Sequence, residues 1–517
     1  MNFKIFKKIL NYQLILQNRI GILNLDFLPT DFDIETKEIY ISKNPQFQII
    51  TIENISSLCN TIKENLQKCS KNLSENYQSL IENLKILAIM IDKGSCDPTP
   101  AFHNFEVIQY LFRFLSGIIE SREHTEITFI VIQTVLHFFY EILFVVPKSR
   151  PFFLGINLAQ ICSVFVHQNE INPIFIFSLH ILFLMNHFGC EYHETVIKNI
   201  SYLELTHIFF DHIQPNDSSK KIPKKHLSSY INGFGHFFAD ICQYSLPPEQ
   251  TSIITSCLLF LLTTEIESSY KYTFLGISRL IKQGSLSIEE YSQMDINSDL
   301  YQAININDPN DVEYAFDLLS SLFSIGWMQI DHYNSLSLFN LIIKWKNNLR
   351  TVELAFKALL QAIKIQPAEY SQPLYNTEIM KSFFSFLEGT FGTKKMSFQI
   401  IINLVKKNPN NSLKWISDDN VEKITDFYEI FLDQHVFHLM ISILDMDDDE
   451  IVSELIIFLI NFFKWCELDP IRIERFKIIF LDEKNAIDES IDLVEDSLSE
   501  SSRYSLLTLK QYYSSIL

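Results

Sequence analysis

The sequence predicts an all-α protein of stacked antiparallel helices, and three observations point there. Glycine is scarce: 12 in 517 residues, about a third of the roughly 7% usual in proteins. Phosphate loops, dinucleotide-binding turns and tight hairpins need glycine where φ is positive or a ligand nears the backbone, so those folds are disfavoured. Apolar residues recur with a helical period, as in Val352, Phe356, Leu359, Leu360 and Ile363, which share one helix face. The connections between such runs are short, which sets consecutive helices side by side and antiparallel. With 47% hydrophobic and 20% charged residues, the chain can bury a large core and lacks the polar, aromatic-poor signature of disorder.

Residues 1–53 are expected to form an N-terminal helix and an extended or irregular lead-in. Lys4, Lys7, Lys8 and Arg19 alternate there with Phe3, Ile5, Phe6, Ile9 and Leu10, and no acid occurs before Asp26. A helix capping the core suits this stretch better than a transit peptide, which would be richer in Ser and Arg. Strand signals are confined to residues 30–52, where 38–41 and 47–50 could pair, and a lone hairpin has little stability of its own. Helices are expected from residue 54 to 483. Within that range, residues 171–190 contain no Asp, Glu, Lys or Arg and are long enough to cross a membrane. Asn172, Pro173, His180, Asn186 and His187 interrupt the stretch and Glu170 and Glu191 flank it, so a helix buried in protein is expected.

Punctuation residues mark the helix ends. Gly284 suits a helix C-terminus, and Ser287 with Glu290 has capping-box spacing. Asp308-Pro309 offers an N-cap followed by proline, and Gly326 stands where that helix should stop. Two helix triplets are expected, at roughly 309–326, 332–347 and 349–365 and at roughly 419–433, 435–444 and 449–466. Placing 308–327 over 446–465 aligns Leu318 and Leu319 with Ile456 and Ile457, and Trp327 with Trp465. Units of about 40 residues would number roughly ten between residues 54 and 483. Residues 484–517 read as acidic capping helices.

In this period, and in segments such as residues 351–363, the chain resembles the armadillo-like/HEAT helical-repeat superfamily. The resemblance covers most of the chain and singles out no specific member. It implies a superhelix whose concave face binds protein partners. Importin-α-type arrays carry Trp-x-x-x-Asn on that face, whereas Trp327, Trp345, Trp415 and Trp465 all lack Asn at that spacing. An importin-α-like peptide groove is therefore not expected.

Local chemistry is sparse. His187, Cys190 and His193 have zinc-ligand spacing, with His180 two turns upstream, but zinc wants four ligands and a fourth would have to come from elsewhere. A loop with Gly189 at a helix end explains the same residues, so no metal or cofactor is expected. The acidic run at Asp445, Asp447, Asp448, Asp449 and Glu450 lacks the glycine and the final glutamate of a calcium loop. It suits the first turn of a helix. Asp433, His435 and His438 read as a helix surface. Gly233 and Gly235 lack the third glycine of a dinucleotide loop, and no nucleophile-elbow, zincin or P-loop motif occurs. No catalytic residue is assigned and an enzyme is not expected.

Charge is more telling. Residues 411–517 hold 23 acidic and 9 basic side chains, most of the formal net charge of −20. Such a surface repels nucleic acid and attracts basic protein segments. Ser497, Ser499, Ser501 and Ser502 lie among acids there, where phosphorylation would add charge. The eight cysteines form no CxxC pair and mostly sit in apolar helical patterns, which fits a reducing, cytoplasmic setting. The basic run Lys220, Lys221, Lys224 and Lys225 leaves a nuclear location open. The function expected is a non-catalytic scaffold or adaptor that binds protein. The alternative is a nuclear-transport or membrane-traffic receptor of the helical-repeat type. A transmembrane segment is not expected, and oligomeric state stays open.

Overall fold

The structure is a computed structural model. It describes residues 50–92, 96–121, 125–168, 172–213, 224–264, 269–305, 309–327, 334–365, 370–407, 412–416, 422–444, 446, 448–495 and 499–516. The expected N-terminal helix, the strand signals at 38–41 and 47–49, and Lys220 and Lys221 lie outside these residues. The chain divides into two compact units, Met1–Ser285 and Leu286–Leu517.

The first unit contains α1 (Ile52–Cys69), α2 (Leu73–Asp92), α3 (Thr99–Phe105), α4 (Val107–Ser121), α5 (Glu126–Val145), α6 (Arg150–Gly155) and α7 (Leu158–His167). It continues with α8 (Pro173–His187), α9 (Cys190–Asn199), α10 (Tyr202–Ile213), α11 (Lys224–Ile241), α12 (Pro248–Leu262) and α13 (Ser269–Lys282). Side chains satisfy the orphan amides that begin these helices. Thr51 accepts from the Asn54 amide. Thr125 and Thr128 cap each other's backbone at the start of α5. Asn172 accepts from the Phe175 amide ahead of α8, with Pro173 at its first position.

Helices α2, α5, α8, α11 and α13 pack one on the next. From α5 to α13 the contacts advance together along both partners, so these neighbours run parallel. Between α5 and α8, His137 stacks on Phe177 at 4.8 Å and Tyr140 meets His180 at 6.1 Å. Between α8 and α11, Phe183 stacks on Phe237 at 4.7 Å and His187 reaches Asp240. Every layer thus repeats the packing of the one before, which is the α-solenoid plan. The run at 171–190 becomes α8, apolar on all sides and buried from Ile174 to Asn186 apart from His180. Among the described residues, α5 is long and apolar enough to cross a membrane by length and composition. Its apolar residues Val131, Val135, Phe139 and Leu143 are wholly buried, and it packs against α2 and α8.

The second unit begins with α14 (Ile288–Gln293), α15 (Asn297–Asn305), α16 (Pro309–Ser324), α17 (Ser335–Lys344) and α18 (Leu349–Ile365). Then follow α19 (Thr377–Ser385), α20 (Phe391–Lys407), α21 (Gln434–Ile441), α22 (Asp449–Glu467), α23 (Pro470–Glu495) and α24 (Glu500–Ile516). Gly284 and Gly326 hold φ of +70° and +85° at helix ends, where a Cβ would be strained. Ser287 and Glu290 form the capping box expected of them. The packed series here is α16, α18, α20, α22 and α24. Polar side chains tie successive members together. Glu313 accepts from Arg350 at 2.9 Å, Glu353 from Thr390 at 3.5 Å, and Asp448 from Lys395 at 2.6 Å. The Asp449 carboxylate accepts from the Ser499 amide, and Ser453 bonds Ser502. Partners in these cross-layer bonds are 37 to 53 residues apart, which brackets the period read from the sequence.

One expectation fails. Residues 422–433, within the expected 419–433 helix, do not form an α-helix. An antiparallel pair, β1 (Ser412–Ile416) and β2 (Glu422–Asp426), sets Trp415 opposite Lys423, and a 3₁₀ turn Phe427–Leu432 follows. The β-branched residues Val421, Ile424 and Thr425 and the turn formers Ser417, Asp418, Asp419 and Asn420 carry this signal. The internal alignment holds in part: Leu318, Leu319 and Ile456 are wholly buried, whereas Ile457 is 47% exposed.

Candidate functional site

The polar cluster that stands out within the first unit is centred on Asp240, near the C-terminal end of α11. Residues 237, 238, 239 and 241 around it are fully buried apolar side chains, and the Asp240 side chain is 2% exposed. An isolated carboxylate there would be costly, and three donors on three stacked helices compensate it. His187, the last residue of α8, sets Nδ1 2.7 Å from Asp240 Oδ2. His236, one turn earlier on α11, sets Nδ1 3.0 Å from the same oxygen. Arg279 of α13 donates to Oδ1 at 2.8 Å and to the Ala239 carbonyl at 2.6 Å. The spacing of His236 and Asp240 puts both on one face of α11, turned towards α8.

Burial alone would raise the Asp240 carboxyl. The charge of His236 and hydrogen bonds from His187 and His236 outweigh that and hold it well below the usual carboxylate range. An ionised carboxylate only accepts, so both Nδ1 atoms carry the proton in these bonds. The cluster therefore pins α8, α11 and α13 together through one charge.

Of the residues with zinc-ligand spacing, the structure brings only His187 into this cluster. Cys190 opens α9 and is exposed. His193 faces another way: it stacks on Tyr244 at 3.8 Å, sets Nδ1 2.8 Å from Asn186 Oδ1, and receives the Tyr202 hydroxyl at 2.9 Å from Nε2. His180 lines a cavity of about 10 Å³ with Ile176, Phe183, Tyr230 and Phe234. Its Nδ1 has no hydrogen-bond partner among the described residues, and burial holds its imidazole down to about 4. The group within reach of one metal ion is His187, His236 and Asp240. Local spacing could not show this, because the partners lie on the next helix layer, 53 and 39 residues from their mates. A repeat protein places chemical neighbours one repeat apart.

The remaining candidates resolve into structural roles. Asp433 caps α21 through the Val436 amide, while His435 and His438 turn to Glu388 and Glu483. Asp448 caps α22 and pairs with Lys395; Asp445 and Asp447 lie outside the described residues. Gly233 and Gly235 lie inside α11, where a Cβ on Gly235 would come within 2.7 Å of Tyr272 on α13. Ser502 is buried against Ser453 and Ser499, while Ser499 is exposed; Ser497 lies outside the described residues.

The α23 helix carries a different feature. Ile471, Ile478 and Leu481 are 72%, 66% and 57% exposed, and Leu468 just before the helix is 80% exposed. Helical spacing puts the three α23 residues on one side, opposite Phe476, Phe480 and Ile487, which face the core. Arg472, Arg475 and Lys477 near this stripe are paired with Asp469, Glu429 and Glu474. Beyond them the helix is mainly acidic, with Asp482, Glu483, Asp488, Glu489, Asp492 and Glu495.

Comparison with known proteins adds the fold alone. No family model and no curated protein matches the chain. Among solved structures, the chain is similar to an engineered protein from a structural-genomics consortium, at 12% identity and a TM-score of 0.53. That match covers 87% of this chain and 98% of the other. A structure from work on a phosphorylation switch between cadherin and β-catenin aligns at 13% identity and a TM-score of 0.42, over 95% and 99% of the two chains; that likeness carries no weight here. The architecture is an all-α helical-repeat stack.

Proposed function

We propose that the protein is a non-catalytic scaffold that binds a protein partner on its second unit. The observation that carries this reading is the exposed apolar stripe Ile471, Ile478 and Leu481 on α23. Exposed apolar side chains recurring on one side of a helix whose opposite side buries Phe476, Phe480 and Ile487 suit an interaction surface. The chemistry of the stripe and of its acidic continuation describes the partner: an amphipathic helix, apolar along one face and basic towards one end. Its apolar side covers the stripe, and its basic end meets the acidic half of α23 and steers association.

Affinity capture of the full chain from native extract, at low and at moderately high salt, tests this function. A stoichiometric partner with a basic amphipathic segment, released as salt rises, is the expected result. Recovery of the folded chain alone at both salt concentrations would contradict it.

A further inference from the structure

We infer that His187, His236 and Asp240 form a binding site for a borderline divalent transition metal, of which zinc is the representative. One ligand atom from each lies within 4.8 Å of the others. The donor set, two imidazole nitrogens and one carboxylate oxygen, suits zinc, cobalt or nickel and not calcium or magnesium, which take oxygen. Three protein ligands leave a fourth position, and the side chain of His187, 30% exposed, opens that side to solvent.

Two of the three ligand separations are close to those of a filled site. Two ligands about 2.0 Å from a tetrahedral zinc stand about 3.3 Å apart. The observed distances from Asp240 Oδ2 are 2.7 Å to His187 and 3.0 Å to His236. An opening of a few tenths of an ångström at Oδ2, with each Nδ1 proton given up to solvent and each ring left neutral and protonated at Nε2, admits the ion. The supporting shell is already built. Arg279 holds Oδ1 at 2.8 Å and is anchored on the Ala239 carbonyl, so Asp240 presents Oδ2 as a single-oxygen ligand. Since Arg279 already balances Asp240, a dication leaves net positive charge, which favours an anionic fourth ligand from solvent. The ion joins α8 to α11 at the point where their C-terminal ends meet, and it needs neither Cys190 nor His193.

The test uses the full chain, stripped with chelator and titrated with Zn²⁺ under native mass spectrometry, with Co²⁺ absorption reporting the ligand field. Wild type is expected to take up one ion and to give a visible Co²⁺ band. His187→Gln and His236→Gln should each weaken binding at least about tenfold, and His193→Gln should leave it unchanged. Thermal melts of the metal-free variants report folding. If His236→Gln fails to fold, His187→Gln, at the partly exposed end of α8, decides alone. No stoichiometric uptake by wild type, or uptake unaltered in His187→Gln, would overturn the proposal.

Discussion

Asp240 shows how much one side chain can hold. It is the shared acceptor for groups on α8, α11 and α13, and its removal strands Arg279 in a mostly buried place. Asp240→Ala should therefore destabilise the first unit by about 3 to 5 kcal/mol. Adding Arg279→Met should recover part of that loss, because no unpaired charge then remains; urea melts of the two variants compare them. His180 acts through pH. Its folded value of about 4 lies below its ordinary value of 6.5, so the unfolded chain binds the extra proton between them. The stability it contributes is complete above about pH 6.5 and is lost as pH falls towards 4, on the order of 3 kcal/mol in total. His180→Leu should flatten that part of the pH–stability curve. A third consequence concerns thiols. Cys59, Cys69, Cys162, Cys242, Cys257 and Cys466 are buried, and burial pushes Cys59, Cys257 and Cys466 to about 12 and Cys69 to about 11. A thiol reagent should label the native protein first at Cys190, next at the half-buried Cys96, and at the other six only after denaturation.

Between elements, close approach is set by small residues. Gly235 lets Tyr272 of α13 rest against the backbone of α11, one residue before His236. Gly235→Ala should force the two helices apart and cost about 1 to 3 kcal/mol, measured as a fall in the denaturation midpoint. Legibility in the sequence follows the same divide between local and non-local. The helix at 349–365 and the capping box at Ser287 were readable because apolar period and caps are local. The β1–β2 pair is hard to read from the sequence, although Val421, Ile424 and Thr425 directly follow the turn formers 417–420, because the helical period of the flanking segments is stronger. The histidine site was half readable: His187 stands out by spacing, but its partners follow from which helices stack.

For the whole molecule, repetition is the organising fact. From α8 to α13 in the first unit, and from α16 to α24 in the second, successive spine helices exchange polar bonds at separations near one repeat, so each layer's stability depends on its neighbours. The outward stripe on α23 is the surface on which the proposed partner binding rests. The most direct measurement is capture from native extract with Ile471→Asp and Ile478→Asp introduced together, beside wild type. Both residues are mostly exposed, so the melting temperature of the variant should match wild type. The account predicts that the variant loses the stoichiometric partner that wild type retains at low salt. Retention of the same partner by a folded variant would contradict it.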